Sequence, residues 1–369
     1  MVYHSAKGLP LNISDGFIIT TMFWVVLACA GSIPFYFFGF SFNDAIFESV
    51  SGITTTGATL IVGLDELPKS LLLYRQLLQW IGGMGLIILA VAVMPALGIG
   101  GSQLYKMELP GSHGNQKLTP KITDSAKALW KIYFGLTLAC ALLYMLSGMD
   151  LFDAIAHSLS TVAGGGFSTH DESLGYYDST SVLWVAILFM IVGGLPFSVF
   201  VAIFFTRNIP KLDPQVLTFI LIILFSSTLL LLYQNGEETK SIYVNTEYIF
   251  NVVSIITTTG YSSGDFMNYG SLGPILFFFL IFIGGCAGST AGGIKVYRFI
   301  VLGQVIKTSL RQLIYSKGVF LLRYGNKLVD QDIYRSTVTM ICCFFACLIL
   351  VTLSLAFCGL DFITAISGA

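Results

Sequence analysis

The sequence predicts an all-α polytopic membrane protein made of repeated membrane helix–pore loop–membrane helix units. Three observations carry this. The 369 residues are 55% hydrophobic and 11% charged, whereas soluble domains carry about 25% charged residues, so the chain has too little polar surface to face water all round. Apolar runs long enough to cross a bilayer, roughly 20 residues each, lie at about 16–40, 70–99, 128–149, 181–206, 214–234, 271–306 and 334–359. Between the first and second, third and fourth, and fifth and sixth runs, one short motif is written three times. Internal repetition is the most specific signal in the sequence.

The motif reads Ser51-Gly-Ile-Thr-Thr-Thr-Gly-Ala-Thr59, Ser160-Thr-Val-Ala-Gly-Gly-Gly-Phe-Ser168 and Ser254-Ile-Ile-Thr-Thr-Thr-Gly-Tyr-Ser262. Gly57, Gly166 and Gly260 each fall thirteen places after an acid, namely Asp44, Asp153 and Glu247, and Asp361 opens a fourth copy. Each motif follows an apolar stretch, such as Ala45–Ile53, too short to span and helical in its spacing. The unit is therefore span, half-helix, glycine loop, span. This divides the chain into a lead (1–15), repeat 1 (16–99, pore loop about 43–63), a connection (100–127) and repeat 2 (128–208, pore loop about 152–172). Repeat 3 (209–306, pore loop about 246–266), a second connection (307–333) and a partial repeat 4 (334–369) without filter or second span follow.

Charge placement orients the units. Most Lys and Arg, including Lys106, Lys117, Lys127, Arg207, Lys295, Arg298, Lys307, Arg311 and Arg335, lie between units or at their inner ends. Only Lys69, Arg75 and Lys240 fall on the motif side, so the positive-inside rule puts the junctions and the N-terminus in the cytoplasm and the motif loops outside. The outer side carries Asp65, Glu66, Asp171, Glu172, Asp178, Glu237, Glu238 and Asp265. Such a mouth concentrates cations, although ordinary solvated loops are the favoured account of any single acid.

Glycine and hydroxyl runs inside so apolar a chain point to exposed backbone carbonyls, which is how proteins replace a cation's water shell. Gly57, Gly166 and Gly260 supply backbone freedom. Thr55 and Thr56, Gly164 and Gly165, and Thr258 and Thr259 supply neighbouring carbonyls. The leading acids Asp44, Asp153, Glu247 and Asp361 read as N-terminal caps of the half-helices in preference to cation ligands, because a cap needs only local geometry. Glu48, His157 and Asn251 share one column of the repeat with different chemistry, which favours packing or local hydrogen bonding over a common ligand role. In the sixth run, Gly284-Gly-Cys-Ala-Gly-Ser-Thr-Ala-Gly-Gly293 is too rich in small residues for a stable helix. It reads as a flexible segment below the filter, with Gly284, Gly285, Gly288, Ser289, Thr290, Gly292 and Gly293 as gate residues; close helix packing is the plainer alternative. Gly82-Gly-Met-Gly85 and Gly193-Gly194 occupy corresponding places and read as packing sites.

Other classes find little support. The seven cysteines lack metal-ligand spacing, and the four histidines are scattered, so neither a catalytic constellation, a metal centre nor a bound cofactor is expected. A net charge of −1 gives no nucleic-acid surface. A secondary transporter with a broken-helix site is the rival reading; it calls for inverted halves, whereas all units here share one orientation.

The chain resembles the Trk/Ktr/HKT superfamily of potassium transporters, and within it the bacterial TrkH type. The resemblance rests on Thr54-Thr-Thr-Gly-Ala-Thr59, Tyr74-Arg-Gln-Leu-Leu-Gln-Trp-Ile-Gly-Gly-Met-Gly85, Gly165-Gly-Phe-Ser-Thr169, Thr257-Thr-Thr-Gly-Tyr261 and Gly284–Gly293 with Ile294-Lys295. It implies four units around one pseudo-fourfold pore, a filter glycine in each, a gate loop in the third unit, a homodimer and a cytosolic nucleotide-binding regulatory ring. Potassium is the implied transported ion, and the bacterial inner membrane the implied location. By the same resemblance Gly57, Gly166 and Gly260 become filter glycines, with glycine in the first unit going with potassium over sodium. A fourth filter glycine is expected about thirteen residues past Asp361, beyond Ala369.

Overall fold

The computed structural model describes residues 13–88, 122–206, 213–234, 241–315, 317–318, 320–325, 327–329 and 331–369. The lead up to residue 12, the predicted end of the second apolar run (89–99), residues 100–121 of the first connection, and the predicted charges Arg207, Glu237, Glu238 and Lys240 lie outside them.

Repeat 1 consists of α1 (Ile13–Phe37), the half-helix α2 (Phe42–Ile53) and α3 (Lys69–Ile88). Repeat 2 consists of α4 (Ile122–Leu146), the half-helix α5 (Leu151–Ala163), α6 (Thr180–Gly194) and the short α7 (Phe197–Val201). Repeat 3 holds α8 (Pro214–Gln234), the half-helix α9 (Ile242–Ile256), α10 (Leu272–Ile283) and, past a loop, α11 (Val296–Ile314). α12 (Gln331–Phe357) and α13 (Phe362–Gly368) open the fourth. α11 carries the chain through 306, where the sequence reading ended repeat 3. The connection after it holds a two-residue antiparallel hairpin, Arg323–Tyr324 with Lys327–Leu328, the one departure from helix-only structure among the described residues.

Each half-helix packs between its own two spans, and α5 and α9 pack in addition on the second span of the preceding repeat, α3 and α6 respectively. This arranges the units as successive sectors. The half-helices are buried on the faces that touch their neighbours, from Ala45 through Ile53, Ala154 through Ala163 and Phe250 through Ile256. The outer faces of the spans stay apolar and exposed, with Leu350, Leu353 and Phe357 of α12 and Leu221, Leu224 and Phe225 of α8 among them. That is the inside-out pattern of helices solvated by lipid.

The caps sit elsewhere than predicted. Ser41, Asp150, Ser241 and Asp361 flank the half-helices with extended backbone and accept the first free amides, from Asp44 (3.2 Å), Asp153 (2.8 Å), Val244 (3.4 Å) and Thr364 (3.2 Å). A cap has to be non-helical so that its side chain can turn back onto the third amide. Asp44 and Asp153 are the residues that present that amide, and Glu247 lies deeper because α9 starts one turn earlier. Only Asp361 caps its helix itself. It therefore stands in the column of Ser41 and Asp150, not that of Asp44 and Asp153, which moves the repeat register by three residues.

Candidate ion filter and gate

The three half-helices end the same way. Thr56, Gly165 and Thr259 send their amides back to Ser51, Ser160 and Ser254 carbonyls (2.9, 3.0 and 2.9 Å), while Thr55, Gly164 and Thr258 bond three residues back. This is the Schellman pattern of helix termination, and it requires a left-handed residue at its turn. Thr55 (φ 56°), Gly164 (φ 71°) and Thr258 (φ 56°) supply it. Two residues on, Gly57 (φ 81°), Gly166 (φ 80°) and Gly260 (φ 83°) are left-handed again. The same backbone, a left-handed residue followed two places on by a left-handed glycine, therefore recurs in all three loops.

The loops also interlock. A Cβ on Gly57 would lie 2.1 Å from the Gly165 carbonyl oxygen, and one on Gly166 would lie 1.8 Å from that of Thr259. Gly57 and Gly166 are thus doubly constrained, by backbone hand and by the neighbouring loop. Gly260 has the same backbone but nothing within 4 Å of the added atom.

Behind the loops lies a layer of buried polar side chains. Ser51 and Ser254 donate to the carbonyls just past the glycine, those of Ala58 (2.5 Å) and Tyr261 (2.6 Å). Glu48, His157 and Asn251 tie each half-helix to the hydroxyl that follows its filter: Glu48 accepts from Thr59, His157 bonds Ser168 (3.0 Å) and Asn251 donates to Ser263 (3.0 Å). The shared column has a shared tethering role, made by three different chemistries. From α3, the buried Arg75 pairs with Glu48 (3.6 Å), donates to Thr59 and to the Ser168 carbonyl (3.0 and 3.1 Å), and lies over the Phe167 ring. Arg75 therefore braces the glycine loops of repeats 1 and 2 from behind, correcting its placement among the outer charges. Gln76 donates to the Phe167 carbonyl (3.0 Å) and Gln79 to that of Gly165 (2.7 Å).

On the motif side, two of the predicted mouth acids are engaged between repeats 1 and 2. Asp171 accepts from the amides of Gly63 (2.9 Å) and Leu64 (3.1 Å). His170 presents one ring nitrogen to Asp65 and the other to Asp153 (3.0 Å), and stacks on Tyr176 at 3.6 Å between ring centres. Two carboxylates can both be satisfied only by a doubly protonated imidazolium. Burial pulls the His170 pKa down, but the hydrogen bonds to Asp153 and Asp65 outweigh it and the net shift is upward. The His170 hydrogen bond holds Asp65 below the usual carboxylate range.

The segment Gly284–Lys295 is a loop between α10 and α11. Gly284 leaves α10 at φ 72°, ψ −172°, where a Cβ would lie 2.2 Å from the Gly292 carbonyl; only glycine takes that conformation at low cost. The loop is pinned to the break in repeat 2: the amides of Cys286 and Thr290 bond the carbonyls of Gly194 (2.9 Å) and Gly193 (3.2 Å), and Phe197 bonds that of Gly288 (2.9 Å). It reaches the filter too. The Thr290 hydroxyl donates to the Val162 carbonyl (3.2 Å), at the end of α5, and the Gly292 amide to the Thr258 hydroxyl (2.6 Å).

Comparison with known proteins agrees with this geometry. The TrkH family, described as cation transport protein, matches residues 2–367. This chain belongs to the TrkH family. The Trk system potassium uptake protein TrkH of Vibrio parahaemolyticus is 43% identical over 367 residues, covering 97% of this chain and 76% of that protein. TrkH of Escherichia coli K12 is 41% identical over 338 residues, covering 89% and 70%. The crystal structure of the potassium transporter TrkH from Vibrio parahaemolyticus superposes with a TM-score of 0.85 at 40% identity, over 99% of this chain and 75% of that one.

Within this TrkH chain, Thr55–Gly57, Gly164–Gly166 and Thr258–Gly260 are brought together, with Thr290 and Gly292 of the loop against the second and third. Glu247 and Asp361 stand apart from that cluster. Sequence reasoning missed three contributors. Gln79 lies on the buried face of α3 beside Arg75 and Gln76, and its hydrogen-bond partners belong to repeat 2. Lys295 was read as a cytoplasmic charge that completes the family motif, yet it is buried at φ 78° and donates to the Ala291 carbonyl. Gln215 accepts the Ala287 amide (2.9 Å). Gly193-Gly194 also do more than pack: the helix pair there bends by 92°, because Pro196 forces Leu195 to extended backbone (φ −85°, ψ 154°).

Proposed function

We propose that this chain is the pore-forming potassium uptake subunit of a Trk system, selecting K⁺ on backbone carbonyls of the loops at Gly57, Gly166 and Gly260. The observation that carries the reading is the threefold recurrence of one backbone: a left-handed residue, one residue between, and a left-handed glycine, directly after a buried half-helix. The C-terminus of each half-helix carries roughly half a negative charge, so three of them aimed at one locus favour a cation there without a fixed carboxylate. A dehydrated K⁺ exchanges its water shell for carbonyls held at that spacing.

Gly284–Gly293 gates the path from beneath, since its hydrogen bonds end on the second and third filter loops. Flow inward is driven by the membrane potential, about 2.3 kcal/mol per charge per 100 mV. The chain sits in a bacterial inner membrane with its N-terminus and unit junctions cytoplasmic, a reading supported by the Lys/Arg distribution. The Trk system names of the relatives and the family resemblance support a homodimer regulated by a cytosolic nucleotide-binding ring.

Reconstitution of the intact protein in proteoliposomes tests the reading. Under an inside-negative potential, rubidium tracer should enter, external K⁺ should compete, and Na⁺ at equal concentration should compete at least tenfold less well, about the discrimination that 1.4 kcal/mol provides. Equal competition by both ions would refute the carbonyl-filter assignment.

A further inference from the structure

The three filter loops share a backbone but not their means of support. In loops 1 and 3 the threonines hold themselves. Thr54 and Thr56 join hydroxyls at 2.7 Å, as do Thr257 and Thr259 at 2.8 Å, and Thr54 and Thr257 also bond back to their half-helices. Loop 2 reads Ala163-Gly-Gly-Gly166 and has no hydroxyl in any of these columns. Three consecutive glycines cost more order on folding than any other tripeptide, so this loop needs a hold from outside.

The hold comes from α3. The Gln79 carboxamide donates to the Gly165 carbonyl (2.7 Å) and accepts from the Phe167 amide (3.1 Å) and the Ser160 hydroxyl (2.6 Å). A Cβ on Gly165 would meet that carboxamide first, its three nearest atoms being Cδ (2.4 Å), Oε1 (2.5 Å) and Nε2 (2.7 Å) of Gln79. Gly165 stands in the column of Thr56 and Thr259, so Gln79 fills the space where a threonine side chain would stand. The next span follows the same logic in reverse. Its residue in the Gln79 column, counted from the Gly82-Gly83 and Gly193-Gly194 pairs, is the buried Met190, and the loop beside it carries Thr259.

We infer that Gln79 is a selectivity-determining positioning residue, a side chain lent by repeat 1 in place of the threonine that the second filter loop lacks. The inference rests on the potassium-filter reading above. Gln79 touches no ion itself. It fixes the Gly165 carbonyl, which abuts Gly57 of loop 1, and so sets the spacing between two neighbouring walls of the filter.

The test uses the intact protein in proteoliposomes, with K⁺ and Na⁺ competing for rubidium uptake. Gln79→Met keeps the volume and removes all three hydrogen bonds, and should lower the K⁺-over-Na⁺ preference by about fivefold to tenfold, the scale of one lost hydrogen bond. Gly165→Thr alone should impair the protein through its clash with Gln79. Gln79→Ala combined with Gly165→Thr should regain most of the preference, because the threonine then occupies the vacated space at an ordinary backbone φ. Wild-type preference in Gln79→Met overturns the inference, since packing alone then suffices. If Gln79→Met does not fold, the double variant decides: a folded double variant without ion preference overturns it equally. Gly166→Ser separates the two levels. If it loses preference while Gln79→Met does not, the filter stands and the role of Gln79 falls; if neither changes preference, the filter reading falls and takes this inference with it.

Discussion

The boundary between repeats 1 and 2 and the second span of repeat 3 begin from the same Gly-Gly step and end as opposites. In α3, Gly82 and Gly83 stay helical and press on their neighbours, with a Cβ on Gly82 falling 2.0 Å from the Ile53 carbonyl. The helix runs unbroken to Ile88, and its buried face delivers Arg75, Gln76 and Gln79 to the glycine loops. In repeat 3 the same step, Gly284-Gly285, leaves the helix and becomes the loop. The residues that follow decide the outcome: Met84-Gly85 continues the helix, Leu195-Pro196 bends it, and Cys286-Ala-Gly-Ser-Thr-Ala-Gly-Gly293 cannot rebuild it. One region is held by side chains through polar ladders, the other mainly by backbone bonds to a bent helix. On the proposed function, selectivity and gating would rest on separable parts of the molecule.

The largest effect should come from the loop. Deleting Thr290–Gly292 removes the bonds to Val162, Gly193 and Thr258, and basal tracer flux in proteoliposomes should rise about tenfold or more, the scale of one to two lost hydrogen bonds. The K⁺-over-Na⁺ preference should stay as in wild type. Flux at the wild-type level would remove the gate, and a loss of preference would show that the two regions act as one.

A smaller effect belongs to the repeat 1–2 boundary. His170 has a raised pKa in the folded protein, so its contribution is fully present below the unfolded value and is lost as pH rises through the folded one. Asp65 runs the other way: its lowered pKa makes its contribution present above the unfolded carboxylate range and lost as pH falls through the folded value. The melting temperature of detergent-solubilised protein should drop on the alkaline side of the histidine range, by about 2 °C for a sub-kcal change in a chain of this size. His170→Gln should abolish that drop. A variant with the same pH profile as wild type would place the cluster outside the stability of this boundary.

Much of this was legible in the sequence, and what was not has physical causes. The repeat unit, the three glycines and the broken span could be read because glycine and threonine runs are conspicuous among apolar residues. The caps were misplaced because the column thirteen places before each glycine falls three residues past the cap in α2 and α5, and a turn deeper still in α9, which starts earlier. Arg75 and Gln79 escaped because each also bonds a backbone carbonyl of another repeat, 93 and 86 residues away; periodicity within one helix carries no trace of such a partner. Lys295 escaped because a lysine beside a cytoplasmic junction satisfies the charge rule whether it is exposed or buried.

The central claim is that the left-handed glycine of each loop holds the ion-selecting carbonyls, and that Gly57 and Gly166 also seat the neighbouring loop. Gly57→Ser puts a Cβ against the Gly165 carbonyl and strains the backbone at φ 81°. The reversal potential of the intact protein in mixed K⁺/Na⁺ salt measures the consequence. The account predicts a rise in Na⁺ permeability relative to K⁺, with gating unaltered. An unchanged permeability ratio would contradict it.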